Sequence, residues 1–140
     1  MIEEVVAQKV TSVQRCAARA RESLAEAGES FRADYTRQDA AVLNVIRACD
    51  TAIDLANMLI RRRRLGIPSE SRESFSILLR EKLIETSLAE RLYKMVGFRN
   101  IAVHQYRDLD LEIVESVIRK DLDDLLAFAQ IVRPLLDADR

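Results

Sequence analysis

Apolar residues recur at intervals of three and four along most of this chain, and no stretch alternates apolar with polar residues as an amphipathic strand would. The first run extends from about residue 2 to about residue 33. It places on one helical face Val6, Val10, Val13, Ala17, Ala20, Leu24, Ala27 and Phe31. The second run extends from about residue 36 to about residue 64, where Gly66 and Pro68 stop it. This spacing predicts long amphipathic α-helices.

A short helix and a longer one are predicted in the middle of the chain. The short helix follows Ser71 and covers Phe75, Leu78 and Leu79. The longer helix extends from about residue 87 to about residue 106. Ser87 and Glu90 stand three residues apart at its start, which is the spacing of a capping box.

The last helix is predicted to begin after a cap at Asp108 or Asp110, and Pro134 is predicted to bend or end it. Its apolar stripe contains Leu111, Val114, Ile118, Leu122, Leu125, Ala129, Val132 and Leu136. Four long helices and one short helix, joined by short links, predict an all-α, up-and-down helical bundle. The chain has 140 residues, which fits a single domain over residues 1–140.

Composition and charge indicate the expected location of the protein and its attraction to nucleic acid. The first ten residues include Glu3 and Glu4 and lack a basic region followed by an apolar run, so no signal peptide is predicted. No stretch reaches the roughly 18 to 20 apolar residues of a membrane span. The expected location is therefore the cytoplasm. A net charge of −1 gives no overall attraction to nucleic acid, and the dense basic run at residues 61–64 fits either a helix end or a phosphate contact.

Metal chemistry has few ligands available in this sequence. There is one histidine, and neither a Cys-x-x-Cys nor a His-Glu-x-x-His spacing occurs. Cys16 and Cys49 both fall on apolar helical stripes, which predicts buried thiols instead of a disulfide or a metal pair. We therefore expect neither a metal nor a cofactor.

Two faces of the fourth predicted helix carry unusual residues. Arg99 interrupts an otherwise apolar stripe, and an unpaired buried guanidinium is costly, so it needs an anion. That anion is either an acidic residue across the bundle, a phosphate or a partner surface. Gly97, Asn100 and His104 share a second face with Tyr93. Because a glycine inside a helix costs about 1 kcal/mol, Gly97 indicates close helix packing, the alternative we favour, or access for a ligand.

The string from Met95 to Tyr106, MVGFRNIAVHQY, resembles the signature of the HEPN superfamily, in the Arg-x-x-x-x-His-x-Tyr form of the HepT toxins. Further segments are similar to that family, namely residues 39–44, 47–48, 52–56, 66–68 and 88–92. The resemblance implies a dimerising helical domain with RNase toxicity carried by Arg99 and His104. It also implies a minimal nucleotidyltransferase antitoxin as partner, with Tyr106 as the residue that receives AMP.

Metal-free RNA cleavage commonly proceeds by attack of the ribose 2′-OH on its own phosphate, which needs an acid, a base and cationic groups. Histidine is the side chain suited to proton transfer near neutral pH, so His104 is the expected acid or base. Arg99 is expected to bind phosphate and stabilise the transition state, and Asn100 to orient the imidazole or donate to a phosphate oxygen. Tyr106, one heptad after Arg99, is placed on the same helical face, where AMP would add charge and bulk beside that arginine.

Five residues along a regular helix place Arg99 and His104 about 140° apart. Three arrangements remain open: the arginine reaches around the helix, the helix unwinds near His104, or a homodimer combines groups from two chains, which we favour. Two other functions also remain open. One is a non-catalytic HEPN module that binds nucleotide or RNA for a nucleotidyltransferase, and the other is a purely structural interaction bundle.

Overall fold

The computed structural model describes residues 2–138, and this part of the chain is helical throughout, with short links. The α-helices are α1 (Ile2–Ala27), α2 (Tyr35–Arg63), α3 (Ser71–Arg80), α4 (Thr86–His104), α5 (Leu111–Ser116) and α6 (Leu122–Ala138). A π-helical segment, Val117–Asp121, joins α5 to α6, so the last three segments form one long helix. Short 3-10 turns follow α1 and α4, at Gly28–Ser30 and Tyr106–Asp108.

The long helices pack as a bundle around one hydrophobic core. α1 packs along α2, α6 lies against both, and α4 contacts α2 and α6, while the short α3 bridges α2 and α4. Among the largest fully buried side chains are Phe31, Phe75 and Phe128, and the rings of the last two meet edge to face at 5.2 Å. The predicted all-α bundle of four long helices and one short helix is confirmed.

The first long helix ends earlier than its apolar stripe predicts. Gly28 has a φ of +55° and terminates α1 at Ala27, six residues before the expected end near residue 33. Phe31 still reaches the core from the turn that follows. α2 then begins after Asp34, whose carboxylate accepts a hydrogen bond of 3.0 Å from the amide of Arg37.

The predicted capping box at Ser87 and Glu90 is wrong. α4 begins at Thr86, and the residue before it, Glu85, caps the helix with no side-chain hydrogen bond. Ser87 therefore lies inside the first turn. The predicted end near residue 106 is also wrong, because α4 stops at His104 and Tyr106 lies in the 3-10 turn beyond it. Tyr106 consequently does not share a helical face with Arg99.

The last long helix follows the sequence prediction except at Pro134. Asp110 caps α5 by accepting a hydrogen bond of 2.8 Å from the amide of Glu112. The π-helical segment leaves the carbonyl of Ile118 free to accept a hydrogen bond of 3.0 Å from Arg21 of α1. Pro134 does not end α6, which continues to Ala138, and the proline lies at the exposed surface.

Other sequence expectations concern the cysteines, the arginine run and membranes. Cys16 and Cys49 are both free and buried, as predicted. The run at residues 61–64 closes α2, and Arg62 donates from Nη1 to the carbonyl of Leu136, which ties the end of α2 to α6. Across residues 2–138, no helix combines the length and apolar character that crossing a membrane requires.

Candidate active site

The C-terminal half of α4 brings the motif residues to the surface of the bundle. Met95 and Ala102 are buried on the inward face, and Arg99 lies between them at the edge of the core. Asn100 and His104 are exposed. The helix is therefore anchored by its apolar face while its polar residues stay accessible to a ligand.

An acidic residue of α2 holds the Arg99 guanidinium. Nε donates to Oδ1 of Asp50 at 2.8 Å, and Nη2 donates to Oδ2 at 3.4 Å. The Arg99 side chain is only 27% exposed, whereas that of Asp50 is 45% exposed. This is the ion pair across the bundle that the sequence left open as one alternative for Arg99. Because Asp50 stays partly hydrated, the pair fixes the arginine without burying two charges.

The ion pair leaves part of the guanidinium available. Nη1 donates to Oδ1 of Asn100 at 3.3 Å, so the contacts with Asp50 and Asn100 use three of the five N–H donors of an arginine. The two that remain sit one on each terminal nitrogen. A pair of N–H donors on the terminal nitrogens matches two oxygens of a phosphate. Asp50 can therefore position Arg99 for an anion without occupying the terminal edge.

His104 is the last residue of α4, and the helix is regular up to that point. Gln105 leaves the helical conformation, with φ −137° and ψ 46°. Arg99 and His104 therefore keep the separation of about 140° around the axis that five helical residues impose. Unwinding begins after the histidine, and Asp50 fixes the arginine on the side of α2. Within one chain, the two side chains point to different sides of α4.

The exposed face of α4 has an opening at Gly97. A Cβ added there meets no atom of the surrounding structure within 4 Å, so the close packing that we favoured for this glycine is absent inside the described chain. The glycine lines a groove of about 340 Å³ between the start of α3 and α4, together with Asn100. Beside them, the guanidinium of Arg72 lies 4.3 Å from the centre of the Tyr93 ring.

Tyr106 lies in the turn after α4, where it contacts α2 instead of Arg99. Its hydroxyl donates a short hydrogen bond to Oδ1 of Asp39. Burial of the ring, together with that hydrogen bond and the charge of Asp39, raises the pKa of Tyr106 to about 12. The side chain nevertheless remains 42% exposed, so the phenol is accessible.

Cys49 lies directly before Asp50 on α2 and beneath the site. Its thiol lies 3.9 Å from the carbonyl oxygen of Met95, a contact between α2 and α4. Burial raises the pKa of Cys49 to about 12, so the thiol is protonated and unreactive at neutral pH. Cys49 is therefore part of the packing under the site and not a nucleophile.

The helical bundle and the Arg99 to His104 motif define the class as a HEPN-type ribonuclease toxin, and comparisons with known proteins give the family. The model of the Ribonuclease HepT-like family matches residues 13–132. The chain is 39% identical over 130 residues to the mRNA nuclease HepT of Shewanella oneidensis, covering 93% of this chain and 97% of that protein. It belongs to the HepT-like family, and its activity is that of a ribonuclease.

Solved structures agree with this assignment. A toxin–antitoxin complex with AMP-PNP contains a chain that matches with a TM-score of 0.88 and 38% identity, covering 94% of this chain and 98% of that one. A tri-AMPylated HEPN toxin of Shewanella oneidensis, in complex with an MNT antitoxin, matches with a TM-score of 0.87 and 38% identity over 93% and 97% of the two chains. The HEPN resemblance of the sequence is therefore confirmed.

Sequence reasoning missed two acidic residues that contact the motif. Asp39 and Asp50 are 11 residues apart on α2, a spacing that places them on the same face, three turns from each other. Each contacts a motif residue from the C-terminal part of the chain, Tyr106 and Arg99 respectively. Their shared helical face is the signal that could have linked them to the motif.

Proposed function

We propose that this ribonuclease cleaves RNA in the cytoplasm without a metal, at a cleft formed by two copies of the chain. Arg99 binds the scissile phosphate, Asn100 supports it, and His104 transfers protons. We further propose that a minimal nucleotidyltransferase is the antitoxin and silences the enzyme by placing AMP on Tyr106. The two solved toxin structures described above are both complexes with an antitoxin, which supports that partner.

The observation that carries the composite site is the fixed divergence of Arg99 and His104. α4 remains helical through His104, and Asp50 pins Arg99 toward α2. In this structure, therefore, Arg99 does not reach around the helix, and α4 does not unwind before His104. These are two of the three arrangements that the sequence left open. A two-fold dimer that presents two copies of α4 to one cleft supplies the missing partner for each residue.

The exposed face of α4 supports contact with a second copy. Gly97, Ile101 and His104 lie on it, and Ile101 is 45% exposed. A glycine in the middle of a helix costs about 1 kcal/mol relative to alanine, and no part of the described chain packs against Gly97 to offset that cost. Close approach of the same helix from a second chain offsets it and leaves the two His104 side chains in one cleft.

The chemistry follows from two histidines and two arginines in such a cleft. One His104 takes the proton from the ribose 2′-OH, whose oxygen attacks the adjacent phosphorus. The terminal N–H groups of Arg99 bind the phosphoryl oxygens, on which negative charge increases. The second His104 donates a proton to the leaving 5′ oxygen. The products are a 2′,3′-cyclic phosphate and a free 5′-hydroxyl.

AMP on Tyr106 would act close to this chemistry. Tyr106 follows His104 by two residues and is exposed, so a nucleotide on its hydroxyl adds bulk and a phosphodiester charge next to the imidazole. Phosphate of an RNA substrate would then be repelled from the cleft. The tri-AMPylated relative supports this mode of control.

RNA cleavage by the purified chain in the presence of EDTA tests the proposal. We expect cleavage to persist after chelation and its products to carry cyclic phosphates. Light scattering should report a dimer at micromolar concentration. Activity that disappears on chelation and returns with magnesium would contradict the mechanism, and RNA binding without cleavage by the intact chain would favour a non-catalytic binding module.

A further inference from the structure

Asp39 is the only charged side chain that the structure places in hydrogen-bond contact with the phenol of Tyr106 within residues 2–138. It comes from the first turns of α2, and Tyr106 comes from the turn after α4, so the contact joins residues 67 positions apart. Asp39 itself is exposed. No helix cap or salt bridge of the described chain uses this carboxylate, so the hydrogen bond is its one assigned contact.

We propose that Asp39 is the base that accepts the proton of Tyr106 when this residue receives AMP. This inference rests on the proposed AMP transfer to Tyr106. In that step, the phenolic oxygen bonds to the α-phosphorus of ATP, and the bond from that phosphorus to the bridging oxygen of pyrophosphate breaks. Pyrophosphate leaves with the electron pair, and the phenolic proton moves to the Asp39 carboxylate.

Tyr106 needs such a base because its phenol keeps its proton. With its pKa raised to about 12, Tyr106 keeps its proton throughout the neutral range, and a neutral phenol is a weak nucleophile. The carboxylate already accepts a hydrogen bond from the phenolic O–H, within the reach that general-base catalysis needs. Hydrogen bonding to the neutral phenol therefore orients the nucleophile before ATP arrives.

Among the described residues, no other carboxylate and no imidazole lines the cleft at Tyr106. The cleft around the ring is lined by apolar and amide side chains, and its other charged or titratable members are Tyr35 and Arg107. Arg107 cannot accept a proton, and Tyr35 is a second phenol, 74% exposed, so neither supplies a base for Tyr106. Asp39, which accepts the hydrogen bond from the hydroxyl, is therefore the carboxylate in position to take the phenolic proton.

Substitution of Asp39 by asparagine removes the base but can keep the hydrogen bond from Tyr106. The amide of this variant keeps an oxygen that can accept from the phenol, but it cannot take up the proton. We expect Asp39→Asn to lower the rate at which the cognate nucleotidyltransferase and ATP add the first AMP by about 100-fold, measured by mass spectrometry, with RNA cleavage unchanged. Asp39→Glu retains the carboxylate and should recover part of the loss. Asp54→Asn, on the same helix and paired with Lys9, is the matched control.

The pH profile gives a readout that a purely structural role would not change. In the wild type, the rate of AMP addition should be nearly flat between about pH 7 and 9, because the carboxylate takes the proton from the neutral phenol at each pH. In Asp39→Asn, the rate should rise about tenfold per pH unit. Without the base, only Tyr106 that has already lost its phenolic proton to solvent reacts, and that fraction increases about tenfold with each pH unit. A wild-type rate with a flat profile in Asp39→Asn would overturn the inference, as would loss of RNA cleavage with no change in the profile.

Failure of the proposed function has a different result. If the wild type and Tyr106→Phe gain AMP equally, Tyr106 is not the acceptor, and the inference falls together with the proposed modification. If Tyr106→Phe gains none while Asp39→Asn is modified like the wild type, the acceptor stands and the base is supplied by the nucleotidyltransferase.

Discussion

The two halves of α4 differ in what they contribute to the protein. In the first half, residues 86–95, the inward positions Leu88, Ala89, Leu92 and Met95 are buried and pack into the core. In the second half, residues 96–104, Val96, Phe98 and Ala102 are also buried, but Asn100, His104 and the face around Gly97 are exposed. Both halves are therefore anchored in the core, and the second half differs in also presenting the polar motif residues at the surface.

Charge is distributed in the same way along α2, the helix that supports α4. One face of α2 is buried and apolar, while Asp39 and Asp50 lie on the face that meets the motif residues. Both acids contact residues of, or just beyond, the second half of α4. α2 therefore supports the motif by polar contacts at two points three turns apart.

Replacement of His104 by alanine should have the largest effect on activity and almost none on stability. We expect RNA cleavage to fall by about 10²- to 10⁴-fold, because His104 is the proton-transfer group. The unfolding free energy should change by less than about 0.5 kcal/mol, since the side chain is exposed. Gln105→Ala, the neighbouring exposed residue, is the control. RNA cleavage by His104→Ala at the wild-type rate would contradict the catalytic role proposed for the second half of α4.

Replacement of Leu92 by alanine should have the reverse profile. Leu92 is fully buried, and its truncation should lower the unfolding free energy by about 2 to 5 kcal/mol, measured by urea denaturation. The folded fraction should cleave RNA at nearly the wild-type rate. Glu90→Ala, on the exposed side of the same half, serves as the control. A stable variant with little activity would show that the two halves are not separable.

Replacement of Asp50 by asparagine tests whether the carboxylate positions Arg99 or competes with phosphate. We expect cleavage to fall about tenfold, because the guanidinium loses the partner that fixes its orientation. Steady-state kinetics on a short RNA would show the fall chiefly in kcat. A rate that increases in this variant would contradict the positioning role and identify Asp50 as an inhibitor of substrate binding.

Replacement of Gly97 by alanine should have the smallest effect on folding and a diagnostic effect on assembly. Alanine favours helix by about 1 kcal/mol, and an added Cβ meets nothing within 4 Å, so a monomer should gain stability. If α4 faces a second copy at this position, the dimer should weaken and cleavage should fall with it. Sedimentation over a concentration series measures both states. A dimer as tight as that of the wild type would exclude Gly97 from the interface.

Periodicity predicted the helices and their buried faces because helical spacing is local information. The stripe that contains Leu88, Leu92 and Met95 is buried as the spacing requires. The errors at helix ends have local causes that the stripe does not contain, such as the positive φ of Gly28 and the early end of α4.

The site was predicted only in part, for a different reason. Arg99, Asn100, His104 and Tyr106 were selected by the motif, and their catalytic and acceptor roles stay predictions. Their partners could not be predicted, because the contacts with Asp50 and Asp39 join residues 49 and 67 positions apart. Such pairs depend on how α2 and α4 pack, which composition and spacing do not specify.

Mixed dimers test most directly whether each working cleft needs groups from two chains. Wild-type chains are co-refolded with a ninefold excess of His104→Ala chains, and RNA cleavage is measured per wild-type chain. If a cleft requires both histidines, activity per wild-type chain should fall to about one tenth, because only about one wild-type chain in ten pairs with another. Activity per wild-type chain that stays constant across all mixing ratios would contradict the account, since each chain would then carry a complete site.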